Sequence, residues 1–318
     1  MSKKEVKFDL LKIDDVIKNN TIYEEGGNKF QFCKDYKPDK KKEEDDNIDF
    51  PKYFAKITLN SFNYLGIVSK NLIRENFGYN CYDNGEEYFG QWKNNKRDGY
   101  GIYFYKDKGN DPIYQIYIGD FKNNSKCGEG IFFNISKIDK EEDMPIPIDF
   151  SLSVGNFAED GFSKGTIFSI KDNKRQIYKG KVNKEGQRND DNAEMYEDDN
   201  KIFHGIIKDN KLVKGRIIIM KEKGGKEIGY YFNRKDEEGK EIDFDFDEGK
   251  NNDLNYINKL DKLINTFDYE KLKDLFISVI MIRIKANASN SFDYMKNLNY
   301  NVDIKQKLKD QYGKLFHN

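Results

Sequence analysis

Residues 84–105 read NGEEYFGQWKNNKRDGYGIYFY, and this stretch decides the fold. Tyr88, Gly90 and Trp92 alternate with other residues, two asparagines follow, and Gly99-Tyr-Gly101 leads into the apolar run Ile102-Tyr-Phe-Tyr105. An aromatic-rich run, a polar turn and a second apolar run predict a β-hairpin. A glycine inside a strand removes a side chain and lets a neighbouring ring lie over the backbone.

The hairpin recurs. Tyr117-Ile-Gly119 is followed by Phe121, by Lys122-Asn-Asn and by Gly128-x-Gly130, as Tyr88-Phe-Gly90 is followed by Trp92, Lys93-Asn-Asn and Gly99-x-Gly101. Weaker copies are anchored at Tyr64/Gly66, Gly155/Phe157, Tyr178/Gly180, Phe203/Gly205 and Gly229. Seven anchors at a period near 24 residues make self-similarity the strongest signal in the chain. The two long spacings hold insertions, read as 106–113 and 136–148. Gly165, Gly186 and Gly215 are candidates for the missing GxG of the degenerate copies. A lone hairpin is marginal in water, so Tyr88, Trp92, Tyr117 and Phe121 are expected to be buried between stacked repeats, with stability a sum of nearest-neighbour terms.

The pattern Tyr-x-Gly-x-Trp/Phe followed by Gly-x-Gly resembles the MORN repeat, closely at 84–105, well at 114–133, and over roughly 60–235 in all. The resemblance implies a mainly β protein: an elongated antiparallel sheet of about seven hairpin repeats. Before the array, residues 1–50 read as a helix over 1–20 and a charged linker at 34–49, and residues 51–60 as a first strand or cap. The array is placed at 51–250. After it, 251–318 has helical spacing, with Leu254 to Phe267, an almost all-round apolar stretch at 268–285, and an amphipathic segment at 302–316. These helices are expected either to cap the sheet or to dock on a partner.

Composition excludes several classes. The chain has 318 residues, 55 basic and 56 acidic, so no net field draws it to nucleic acid. Mean hydropathy is −0.91, yet 14% of residues are aromatic, which disordered chains lack. Cys33, Cys81 and Cys127 form no CxxC and read as free thiols of a reducing compartment. The first residues, MSKKEVKFDLLK, lack a signal-peptide core, so the expected location is cytoplasmic or cytoskeletal.

No catalytic constellation is visible. His204 lies in a predicted strand and His317 is penultimate; no Cys/His cluster has zinc spacing, and no phosphate-binding GxxxxGK[ST] occurs. Asp243 to Gly249 starts like an EF-hand loop, but Leu254 stands at the twelfth position, and a solvated acidic edge strand fits better. No enzyme, cofactor or metal is expected. Two functions follow from the resemblance. One is a scaffold among the subunits of a large cytoskeletal assembly such as the ciliary axoneme. The other is a membrane–cytoskeleton module with weak phosphoinositide binding through Lys40–Lys42 or Lys93–Arg97; Glu43–Asp46 cancels the first patch. The face around Tyr88–Phe133, rich in Tyr88, Tyr103, Tyr105 and Tyr117, is expected to meet partners; the alternative is that these rings only stack between repeats.

Overall fold

A computed structural model describes residues 22–25, 27–33, 53–69, 71–106, 114–139, 146–197, 201–220, 226–232, 234–235, 241–242, 245–246 and 269–287. The chain is mainly β and its strands pair antiparallel. In order they are β1 (Ile22–Glu25), β2 (Asn28–Phe32), β3 (Tyr53–Leu59), β4 (Phe62–Val68), β5 (Arg74–Tyr82), β6 (Glu87–Lys93), β7 (Lys96–Phe104), β8 (Tyr114–Lys122) and β9 (Ser125–Asp139). Next come β10 (Ile146–Ala158), β11 (Gly161–Lys171), β12 (Lys174–Lys181), β13 (Asp190–Glu197), β14 (Lys201–Lys208), β15 (Lys211–Met220) and β16 (Lys226–Phe232). Two-residue strands occupy Arg234–Lys235, Glu241–Ile242 and Asp245–Phe246, and among the described residues one helix, α1, spans Tyr269–Asn287.

Two compact units make up the chain. The first takes Met1–Lys106, Asp120–Ser125 and Val279–Leu308; the second takes Asp107–Gly119, Lys126–Ser278 and Lys309–Asn318. In the first unit β1 to β7 form a meander, each strand pairing with the next where pairing is continuous, from Tyr23↔Phe30 to Glu87↔Phe104. In the second, β9 to β16 do the same, from Leu152↔Phe133 to Ile218↔Ile228.

Short turns set the register. Five hairpins close on two residues that both have positive φ: Asn94-Asn95, Asn123-Asn124, Glu159-Asp160, Asp172-Asn173 and Asp209-Asn210. That is the type I′ turn, whose twist matches the strands it joins, and Asn and Asp tolerate it best after glycine.

Three expectations change here. The array starts earlier than residue 51, because β1 and β2 lie ahead of it and β2 pairs with β3 at Phe30↔Ile57. The second insertion is mostly strand: β9 runs on to Asp139 and pairs with β10 at Ile146↔Asp139, with the irregularity confined to Pro147–Phe150. Proline has no N–H for a ladder, which accounts for a slip there. The helical stretch at 268–285 is not buried all round: Leu272, Leu275, Phe276, Val279 and Ile280 are buried, while Ile284 is 49% exposed. The acidic segment holds a strand, as expected: Asp245–Phe246 pairs with β16 at Gly229↔Phe246. Residues 1–20, 34–49, 254–267 and 302–316 lie outside the described residues.

Candidate interaction surface

Glycines face each other across strand after strand. In the first unit Gly66 pairs with Gly78, Gly78 with Gly90, and Gly90 with Gly101. In the second, Gly130 pairs with Gly155, Gly155 with Gly165, and Gly165 with Gly180, and further on Gly205 pairs with Gly215. The reason is a ring. Tyr88 folds back over the glycine two residues ahead of it: a Cβ at Gly90 would lie 2.5 Å from the Tyr88 hydroxyl, and one at Gly101 2.5 Å from the same ring. Tyr64 covers Gly66 and Gly78, Tyr117 covers Gly119 and Gly130, Tyr178 covers Gly180, and Phe203 covers Gly215. The hydroxyls then donate to backbone carbonyls three residues ahead: Tyr64 to Ile67 (2.8 Å), Tyr88 to Gln91 (2.9 Å) and Tyr178 to Lys181 (2.6 Å). A buried phenol with an acceptor satisfies its polar end while its ring fills the groove left by the missing side chains.

The first glycines of the two GxG pairs do something else. Gly99 has φ +103 and a Cβ there would strike the Gln91 side chain, whose Oε1 accepts from Tyr100 N at 2.7 Å. Gln91 occupies the register slip between Gly90 and Trp92, so Gly99 makes the bulge that the slip needs. Gly128 likewise has positive φ. Two of the expected repeat glycines fall outside the facing line. Gly229 pairs with Ile217, and Tyr231 takes the place opposite Gly215. Gly186 sits in a turn with open space around it, and Ala193 faces Gly205 instead. Gly78, which belongs to the line, follows Phe77 rather than a Tyr-x pair and carries no repeat signature of its own in the sequence.

The aromatic residue two beyond the repeat glycine (Trp92 after Gly90, Phe121 after Gly119, Phe157 after Gly155) joins neighbouring repeats. Trp92 meets Tyr64 edge-on at 5.8 Å, Phe121 meets Tyr88 at 5.1 Å, and Phe157 meets Tyr117 at 4.9 Å. A cation nine or ten residues after each tyrosine caps the stack. Arg74 lies 4.3 Å from the Trp92 ring centre, Arg97 4.5 Å from Tyr103, Lys126 5.7 Å from Tyr117, and Arg188 5.2 Å from Tyr178. A turn residue of the next hairpin holds each of these positions. Arg74 N donates to Asn95 Oδ1 and Asn95 N returns a bond to Arg74 O (2.8 and 3.1 Å); Arg97 with Asn124, and Arg188 with Asn210, do the same. Lys126 N donates to Asp160 Oδ1 at 2.6 Å.

Tyr88, Tyr103 and Tyr117 therefore do not face partners, while Tyr105 is half-buried. Tyr88 and Tyr117 have no exposed surface and Tyr103 very little. Burial pushes the Tyr88 phenol well above its ordinary pKa; Tyr103 is raised by burial first and by the hydrogen bond it gives Glu86 at 2.7 Å. Arg97 is stacked on rings rather than free for an anionic surface, which leaves the exposed Lys93 and Lys96 of that patch.

On the opposite face of the first unit lies a buried polar junction that the repeat pattern does not reveal. Glu87, 5% exposed, accepts from Arg283 Nε at 2.9 Å and from its terminal nitrogen at 2.7 Å. Tyr79 donates to Glu87 Oε2 at 2.6 Å, and Asn287 Nδ2 reaches the same oxygen at 3.2 Å. Burial and Glu87 push the Tyr79 phenol far up. Arg283 also stacks over Phe104 at 5.4 Å. A signal did exist: Arg283 interrupts the most apolar run of the chain. In the second unit α1 contributes Phe276, 6.4 Å from Phe133.

The first unit also carries a cleft of about 350 Å³, lined by Arg74, Trp92, Arg97 and Tyr103 together with Asp83 and Glu86. Among the described residues no group of His, Cys, Asp or Glu has metal-binding geometry, and no helix is long and apolar enough to cross a membrane. The three cysteines are free thiols. His204 pairs with Asn192 Oδ1 at 2.8 Å in an exposed site.

The family model of the MORN repeat matches residues 88–109 and 117–133, the two hairpins in which the tyrosine, glycine pair and Trp/Phe are all present. No curated protein matches the chain.

Proposed function

We propose that this MORN-repeat protein is a non-catalytic scaffold that joins protein subunits within a large cytoskeletal assembly, the ciliary axoneme being the foremost candidate. MORN repeats are interaction motifs of proteins and membranes. The observation that carries the reading is the use of each repeat's special residues. Tyrosine, glycine pair, Trp/Phe and cation all serve packing between hairpins. Such a repeat is a structural tile, and contact with partners falls to the polar outer surface and the cleft. Weak contact with phosphoinositides is the second reading; it draws on exposed Lys93 and Lys96, a charge pair that salt would screen.

The test is fractionation of cells of the source organism that carry a tagged chain. Retention in demembranated, detergent-washed axonemes is the expected result. Recovery of the whole pool in the soluble or the membrane fraction overturns the axonemal assignment.

A further inference from the structure

We propose that residues 302–316 of this chain fold back as a helix onto the outward apolar stripe of α1 and cover Met281 and Ile284. The inference goes beyond the scaffold reading and does not depend on it.

Among the described residues the exposed large apolar side chains are Ile22, Met281 and Ile284, so two of the three lie on α1. With the half-buried Ile277 they form one stripe at i, i+4 and i+7. The rotation of α1 is fixed from its other side. Phe276 meets Phe133, Arg283 gives two nitrogens to Glu87, and Leu275, Val279 and Ile280 are buried. Turning the helix to hide Ile284 would pull Arg283 off a buried carboxylate, which is costly. The stripe therefore stays outward, and an apolar patch held outward marks a contact surface.

Residues 302–316, VDIKQKLKDQYGKLF, supply the cover. Ile304, Leu308, Tyr312 and Leu315 recur at helical spacing with charged residues between them. So short a helix with Gly313 inside it is marginal in water by itself, and gains its stability against an apolar surface. Charge sets the direction. α1 exposes Asp274 ahead of the stripe and Lys285 after it. The segment carries Asp303 ahead of its apolar residues and Lys314 near their end. Each of these two charge pairs spans eleven residues, about 16 Å of helix. An antiparallel arrangement sets Asp303 beside Lys285, Ile304 level with Ile284, and Lys314 beside Asp274; a parallel one opposes like charges. The connection 288–301 is longer than the roughly two to eight residues that a helix–helix turn needs.

Other occupants fit less well. Residues 254–267 lead directly into Tyr269, and a helix turning back there reaches only about residue 282, short of Ile284. Three side chains of one helix fall far short of the roughly 800 Å² per partner of a stable dimer, whereas a tethered segment meets the stripe at an effective concentration of about a millimolar.

The test is amide hydrogen exchange of the full chain, read by mass spectrometry. Peptides from 302–316 should exchange at least about tenfold more slowly than a free chain. Ile284→Asp should remove that protection while α1 keeps its own. Absence of protection in the unaltered chain, or protection that survives Ile284→Asp, overturns the proposal. So does a loss that falls on 254–267 instead. Protection that fades on dilution, with a dimer mass by light scattering, hands the stripe to a second copy and overturns it too. Should Ile284→Asp unfold α1, Asp274→Lys takes its place, since it alters one exposed charge. That variant should cut the protection of 302–316 severalfold, and Lys314→Asp in the same chain should restore it. No loss, or no restoration, overturns the proposal.

Discussion

The Glu87 carboxylate lies 2.7 Å from the Arg283 guanidinium, 196 residues further along the chain; the carboxylate is buried and the guanidinium half-buried. Removing one partner of a buried pair strands the other charge. Glu87→Gln or Arg283→Met alone should cost about 3–5 kcal/mol by denaturant unfolding, whereas Glu87→Gln with Arg283→Met should cost clearly less than the sum. Additive single losses would show that the pair is not coupled.

Glycine positions separate into two classes. A Cβ at Gly90 would stand 2.5 Å from Gly101 Cα and from the Tyr88 hydroxyl, so Gly90→Val should lose about 3 kcal/mol or prevent folding. Gly85 has φ +83 with only the end of Lys106 near, and Gly85→Ala should cost about 1–2 kcal/mol from backbone strain alone. Thermal melts that rank them the other way would contradict the role of the facing glycines.

Trp92 touches two tyrosines and donates from Nε1 to Gly78 O at 3.2 Å. Trp92→Ala should cost about 3–5 kcal/mol. The same variant should release Tyr64 and Tyr88 to solvent, which quenching of tyrosine fluorescence would register.

The turn residue Asn124 has φ +76 and its Oδ1 accepts from Arg97 N at 2.9 Å. Asn124→Gly keeps the backbone shape and loses the bond, at about 1 kcal/mol. Asn124→Ala loses the bond and strains the turn, and should cost about 1–2 kcal/mol more. Equal losses for the two would assign the whole effect to the hydrogen bond.

Alkaline pH gives a separate check. Burial first, then Asp190, push the Tyr178 phenol up to about 12, with Arg188 opposing. An unfolded tyrosine ionises near pH 10. Below about pH 10 both states hold the proton and the contribution of Tyr178 is fully present. Between about 10 and 12 the unfolded state gives up its proton while the folded state keeps it, so stability falls as pH rises. Chemical denaturation across that interval should show the decline, and Tyr178→Phe should flatten it; an identical slope in the variant would contradict the assignment.

Much of this fold is written locally. Tyr88-Phe-Gly90-Gln-Trp92 names its own ring, its own gap and its own turn, so the hairpins at 84–105 and 114–133 are legible residue by residue. Gly78 is not, because the ring that covers it belongs to Tyr64, on the strand before. The strands β1 and β2 escape notice for a similar reason: Phe30 and Phe32 are buried by β3, across a charge-rich stretch that hides the pairing. Arg74 and Arg97 read as ordinary surface cations, since nothing local says that a ring of the following hairpin lies beneath them. The Glu87–Arg283 junction joins residues too distant for any periodicity to link.

The turn clamps also set an order of events during synthesis. Arg74 waits for Asn95, 21 residues later; Arg97 waits 27 for Asn124, Lys126 waits 34 for Asp160, and Arg188 waits 22 for Asn210. In every case the later residue secures the earlier one. A hairpin emerging from the ribosome therefore stays incomplete until its successor has cleared the exit, and the array matures with a lag of one hairpin behind the growing chain.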